Sequence, residues 1–148
     1  MLSQKTQYGV RAVFELAKRM DREAVSTAEL AEAQAIPARF LEVILSQLRQ
    51  ARIVESRRGV QGGYRLALDP DKITVGSVIR FFNGPIAPVK CVAKTIKSDC
   101  PLRGTCAFTG LWGRAREALS QVYDTTTFRN LVEEQMTKRD NYSPSFEI

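Results

Sequence analysis

Three cysteines, Cys91, Cys100 and Cys106, stand within sixteen residues of a 148-residue chain that contains no histidine. Eight residues separate the first pair and five the second. Thiolates ligate metals and react with oxidants, and nearby cations stabilise such anions; Lys90, Lys94, Lys97 and Arg103 share the segment. An odd number of cysteines cannot close a complete disulfide framework. Structural zinc takes paired Cys-x2-4-Cys knuckles or histidines, and neither occurs. Beside zinc on an unusual spacing and no function at all, two chemistries lead: a thiol switch through one disulfide that leaves one thiol spare, and an iron–sulfur cluster on three thiolates and one other ligand, although the spacing is not that of ferredoxins. The missing histidine also removes Ser-His-Asp and Cys-His catalysis. With no Cys-x-x-Cys motif to support a small redox enzyme, no enzymatic activity is expected.

The second chemistry is cationic. Between Arg49 and Arg65 lie Arg49, Arg52, Arg57, Arg58 and Arg65, opposed only by Glu55. The formal net charge is +6, and its excess is N-terminal and central. Residues 1–70 carry eleven basic and eight acidic side chains, 71–106 six and two, and 107–148 five and six. Such a balance suits a polyanionic partner.

The elements that position these groups follow from apolar spacing. Tyr8, Val10, Ala12, Val13, Leu16, Ala17 and Met20 recur helically over residues 4–20, with Lys5, Arg11, Glu15, Lys18 and Arg19 on the other positions. Ser26 and Glu29 form a capping-box pattern that opens a short helix to about Ala35. Pro37 suits a first helical position, and Phe40, Leu41, Ile44, Leu45 and Leu48 then mark a third helix to about Ala51. Two short helices across a tight turn make a helix-turn-helix. The β-like runs 53–56 and 64–68 flank Arg57-Arg58-Gly59-Val60-Gln61-Gly62-Gly63, which predicts a hairpin with arginines at its exposed tip. The glycine cluster lacks the Gly-Lys-Ser/Thr of a phosphate loop and leads into a strand, so nucleotide binding is set aside. A helix-turn-helix followed by a basic hairpin is a winged helix, a DNA-reading architecture.

Thr74 caps a fourth helix through Val75, Val78, Ile79, Phe81 and Phe82, ending at Asn83-Gly84-Pro85. After a cysteine-bearing loop, Leu111, Trp112, Ala115, Ala118, Leu119, Val122 and Tyr123 form one apolar stripe over about 107–124. Thr125-Thr126-Thr127 interrupts it, and Phe128, Leu131, Val132 and Met136 mark a last helix. The fold class expected is mainly α (α+β). Residues 1–84 form the winged helix-turn-helix domain, 85–106 the cysteine loop, 107–137 a dimerisation helix and terminal helix, and 138–148 a flexible tail. Because a winged helix already owns a core, the stripe of Leu111, Trp112, Ala115, Leu119 and Val122 is assigned to a homodimer, which brings two recognition helices to adjacent major grooves of a palindromic site. No apolar run approaches the roughly 18 residues of a membrane span. A soluble cytoplasmic protein without a membrane partner is expected.

The run Gln34-Ala35-Ile36-Pro37-Ala38-Arg39-Phe40-Leu41-Glu42, continuing through Leu48-Arg49 and from Ser56 to Leu66, resembles the Rrf-two family of bacterial winged-helix regulators. The likeness extends from Tyr8-Gly9-Val10-Arg11-Ala12 to Ala115-Arg116-Glu117-Ala118-Leu119. It implies a homodimeric regulator, in the main a repressor, that binds palindromic double-stranded promoter DNA. It also implies that Cys91, Cys100 and Cys106 hold a 2Fe–2S or 4Fe–4S cluster sensing redox, nitric oxide or iron status. The first cysteine gap is longer than is usual in cluster-binding members; the second matches. Members use a non-cysteine fourth ligand. The histidine that serves in one branch is absent, and Gln7 stands nearest the first-helix position that serves in another, with Glu15, Asp99, solvent or a small thiol as other candidates. For DNA, Arg39 and Glu42 start the recognition helix and discriminate bases, arginine by bridging guanine O6 and N7 and glutamate by accepting from cytosine N4. Arg57, Arg58 and Gln61 in the wing reach phosphate or the minor groove, and Arg49 and Arg52 neutralise phosphate. Phe40 occupies a position that is often tyrosine, which removes one hydroxyl contact to phosphate.

Overall fold

Short hydroxyl side chains decide where the helices begin. Ser3, Ser26, Thr74 and Thr127 each accept a hydrogen bond from the backbone N–H three residues on, which satisfies a donor that the first turn leaves without a partner. Ser26 with Glu29 and Thr127 with Asn130 are reciprocal capping boxes. The computed structural model describes residues 1–142. Its elements are α1 (Gln4–Lys18), α2 (Thr27–Gln34), α3 (Ala38–Gln50), β1 (Val54–Arg57), β2 (Gly63–Leu66), α4 (Val75–Asn83), α5 (Thr109–Thr125) and α6 (Phe128–Asn141), with 3-10 turns at Pro70–Lys72 and Lys90–Val92.

Helices α2 and α3 stop alike. Ala35 and Arg52 adopt left-handed φ of 50° and 59°, and the next residue donates back five positions, Ile36 to Ala31 and Ile53 to Leu48, each at 3.0 Å. These turns explain two one-residue differences from expectation. Pro37 precedes α3 as its cap rather than opening it, and the first wing strand begins at Val54 because Ile53 is spent on the helix end.

Apolar faces of α1, α2, α3 and α4 meet over Leu16, Leu30, Leu45 and Val78, all essentially without exposure. Gly9 makes the α1–α4 contact close: a Cβ there would fall 2.3 Å from the Phe82 ring. Two residues depart from the expected faces. Phe40 points outward at 47% exposure instead of joining the α3 stripe. Glu15, placed by spacing on the polar side of α1, is 2% exposed. Its carboxylate accepts from Gln34 Nε2 at 2.7 Å, Arg19 Nε at 2.9 Å and Lys18 Nζ at 3.3 Å. Arg11 in turn donates to the Gln34 backbone carbonyl. Burial pushes the Glu15 carboxyl up, but the hydrogen bonds from Gln34 and Arg19 and the Lys18 charge together hold it below the usual range. The network pins the C-terminal end of α2, and so the turn into α3, against α1.

The last two helices dock at their elbow. Val75 N–H donates to the Thr126 carbonyl at 2.9 Å and Phe128 N–H to Ile73 at 3.1 Å, while the Phe128 ring is fully buried. Arg129 ties the start of α6 to Asp69 and Asp71. The last helix continues to Asn141, past the Lys138 at which a flexible tail was expected; the remainder of that tail, 143–148, lies outside the described residues.

Candidate DNA-binding surface and cysteine site

Helix α3 buries Leu41, Ile44, Leu45 and Leu48, which leaves Arg39, Glu42, Val43, Arg49 and Gln50 outward. Arg39 lies over the Phe40 ring, 4.8 Å from its centroid, a cation–π contact that holds the guanidinium at the start of the helix. Among the described residues Arg39, Glu42, Arg49, Arg52 and Arg58 make no ion pair. A carboxylate such as that of Glu42 repels phosphate and can accept a hydrogen bond from an amino group such as cytosine N4.

In the wing, β1 and β2 pair antiparallel with Val54 opposite Leu66, Glu55 opposite Arg65 and Arg57 opposite Gly63. Glu55 neutralises part of the expected patch, pairing with Arg65 at 3.2 Å and Arg57 at 3.5 Å. Arg58 and Gln61 are exposed in the connecting loop. The wing is held to the helices by an isolated bridge that the sequence did not disclose: Val25 and Tyr64 exchange two backbone hydrogen bonds of 2.8 Å. Gly63 allows that approach, since a Cβ there would sit 2.1 Å from the Val25 carbonyl oxygen. Arg39, Glu42, Arg49 and Arg52 thus stand on or just after α3, and Arg57, Arg58 and Gln61 on the wing that α1–α3 support.

The three cysteines share one cavity. Cys91, Cys100 and Cys106 all line a single cavity of about 510 Å³, together with Lys94, Lys97, Arg103, Thr95, Ser98 and Thr109. Cys91 is exposed and the other two half-buried. The thiols border this space without being drawn together: among the described residues no three Cys, Asp or Glu side chains are grouped closely enough to hold one metal ion. Three cations and three thiols around one cavity nevertheless suit a negatively charged, thiolate-ligated group. Gln7 is exposed on α1, donates to the Leu2 carbonyl at 3.1 Å and does not line the cavity of its own protomer. Glu15 is committed to the α1–α2 network described above and drops out as a fourth ligand.

The cavity is wired to α5. Thr109, the first residue of α5, is part of its wall, and Arg116 donates to the Val92 carbonyl, next to Cys91, at 2.7 Å. The far end of α5 is clamped to α4, where Arg80 donates to both carboxylate oxygens of Asp124 at 2.5 and 2.7 Å. That hydrogen bonding holds the Asp124 carboxyl below, and the Arg80 guanidinium above, their ordinary values. On its opposite face α5 buries nothing. Leu111 and Val122 are 45% and 60% exposed, Leu119 is exposed, and Trp112 stacks on Phe108 at 6.2 Å. Neither the Arg116 nor the Asp124 link has a sequence signal, because both join residues far apart in the chain.

Known proteins agree with this architecture. The chain is 36% identical over 131 residues to the regulator CymR of Bacillus subtilis, covering 88% of each chain. It is 32% identical over 133 residues to the regulator IscR of Vibrio campbellii, covering 90% of this chain and 77% of that one. The solved structure of the B. subtilis protein, described as the global cysteine regulator, superposes with a TM-score of 0.77 over 90% of this chain and 97% of that one. T. potens IscR superposes with 0.75 at 29% identity, over 99% and 94%. Members of this group are DNA-binding transcriptional regulators rather than enzymes, and among the described residues no helix is long and apolar enough to cross a membrane. With residues 2–134 matching the Rrf2 (Rrf-two) description of iron-dependent transcriptional regulators, the chain belongs to the Rrf2 family of winged-helix regulators.

Proposed function

We propose that this regulator is a homodimeric repressor of palindromic promoters whose operator affinity follows the state of an iron–sulfur cluster on Cys91, Cys100 and Cys106. The observation that carries this reading is that all three thiols line one cation-rich cavity whose wall includes the first turn of α5. The cluster, 2Fe–2S or 4Fe–4S, supplies a centre sensitive to oxidants and electrons. The chain's own residues do the rest. Arg116 ties the backbone beside Cys91 to α5, and the exposed stripe of Leu111, Trp112, Ala115, Leu119 and Val122 pairs with its counterpart in a second copy. Thus a change in the loop between residues 85 and 106 bears on the helix that sets the spacing of two recognition helices. The partner subunit's Gln7 is this chain's candidate for the fourth ligand; Asp99, solvent or a small thiol competes with it. Arg39 and Glu42 read bases, and Arg49, Arg52, Arg57, Arg58 and Gln61 contact the backbone or minor groove.

A second reading keeps the scaffold and changes the chemistry. The thiols are not gathered at ligand distance, and one relative of known structure is described as a cysteine regulator, so a cluster-free thiol switch is the competing account. Operator affinity measured on anaerobically reconstituted, iron-stripped and peroxide-treated protein separates them. Cluster sensing predicts a difference between the first two states; a thiol switch predicts equal affinity there and a peroxide-dependent change in iron-free protein.

A further inference from the structure

Val43 stands in the middle of the outward face of α3. It follows Arg39 by one helical turn and lies on the side of the helix opposite the buried Leu41 and Leu48. It is 53% exposed and packs into no core, and its neighbours along that face, Arg39, Glu42, Ser46 and Gln50, are all polar. Beside it is Phe40, three residues earlier and also outward. The N-terminal half of a recognition helix is the part that contacts base edges in the major groove, and Val43, the sixth of the thirteen residues of α3, lies within it. The base edges there offer hydrogen-bond donors and acceptors and one apolar group, the C5-methyl of thymine. A valine in a helix is held almost entirely in one χ1 rotamer, so its two methyl groups are presented with little further loss of freedom on binding.

We infer that Val43 is a specificity residue, whose isopropyl group packs against the C5-methyl of a thymine in each operator half-site. The assignment rests on the DNA-binding reading of α3. It divides the labour on the face: Arg39, steadied by the Phe40 ring, serves a guanine; Glu42 serves a base amino group; Val43, one turn beyond Arg39 and next to Glu42, serves a methyl. A thymine, rather than a cytosine, is therefore expected next to the guanine and amino contacts.

The test begins with sites selected by the full-length protein from a randomised duplex library. Each thymine of the selected site is then replaced by deoxyuridine, which deletes only the methyl group, and affinity is read by fluorescence anisotropy. Wild type should show one thymine per half-site at which uracil weakens binding about fourfold, the contribution of one buried methyl, and about fifteenfold when both half-sites are changed. In Val43→Ser that sensitivity should vanish, while Phe40→Ala should retain it. Wild-type binding with no methyl-sensitive thymine overturns the inference, as does sensitivity that persists in Val43→Ser or disappears only in Phe40→Ala. Failure to select any site, by contrast, strikes at the DNA-binding reading itself.

Discussion

Replacing Glu15 by glutamine keeps the shape of the side chain, removes its charge and turns one of its two acceptor oxygens into an NH2 donor, which faces the Arg19 N–H when the remaining oxygen keeps the bond from Gln34. The buried carboxylate accepts three hydrogen bonds, from Gln34, Arg19 and Lys18. Bonds to a charged group contribute about 1.5–3 kcal/mol each, but the sum is not lost. The glutamine Oε1 still accepts from Gln34, and Arg19 and Lys18, each 28% exposed, regain water when the charge goes. We expect Glu15→Gln to destabilise the fold by about 2 kcal/mol at pH 7, or about 4–8 °C in Tm for a chain of this size. The loss should depend on pH with a definite sign. The folded carboxyl titrates below its ordinary value of 4.5, so its contribution is complete above that value and is lost as pH falls through the folded one. Urea melts of both proteins from pH 7 down to pH 3.5 should show a gap that narrows steadily as pH falls below about 4.5. Equal stability at pH 7, or a gap unchanged at the acid end, would refute the role given to this network.

Three other outcomes follow from the same geometry. Ala35→Gly should raise the unfolding free energy by about 0.5–1 kcal/mol, read as a higher urea midpoint with no change in slope, because φ is 50° there; a loss of stability would contradict the left-handed turn. Arg58→Ala should weaken binding to all DNA sequences and lower the salt slope by about 0.9 for each phosphate contact removed, whereas Glu42→Ala should leave the slope and relax base preference; identical behaviour of the two variants would contradict the division of roles. Leu119→Glu, at an exposed position on α5, should leave the thermal melt of the winged helix near wild type and yield monomers in sedimentation velocity, while a persistent dimer would place the interface elsewhere.

Much of the reading face was legible because it is local. The Ser26–Glu29 capping box, Pro37 before α3 and the Thr125–Thr127 break are all set by neighbours in the chain, and each marks an element boundary in the structure to within a residue or two. Helical spacing failed where one position had two plausible faces. Phe40 left the core because Leu41, Ile44, Leu45 and Leu48 already fill the buried stripe, and Glu15 entered it because Gln34 and Arg19 satisfy a carboxylate there. Val43 was overlooked for the opposite reason, as an apolar residue out of phase with the core and so absent from every stripe. Long-range ties had no local signal: the Val25–Tyr64 bridge that seats the wing, the Arg80–Asp124 clamp and the Arg116 link to the cysteine loop appear only once the chain has folded. Cysteine spacing alone leaves cluster and switch side by side, and in the structure the three cysteines line one cavity without being gathered at metal-ligand distance.

The central claim is that these thiols hold a cluster. Its most direct test is a visible absorption spectrum with iron and acid-labile sulfide assays after anaerobic reconstitution, on wild type and on the variant with Cys91→Ala, Cys100→Ala and Cys106→Ala together. The account predicts broad visible absorption with matching iron and sulfide in the wild type and none in the variant. Wild-type protein that stays colourless and free of iron, or a variant that binds the same iron and sulfide, would contradict it.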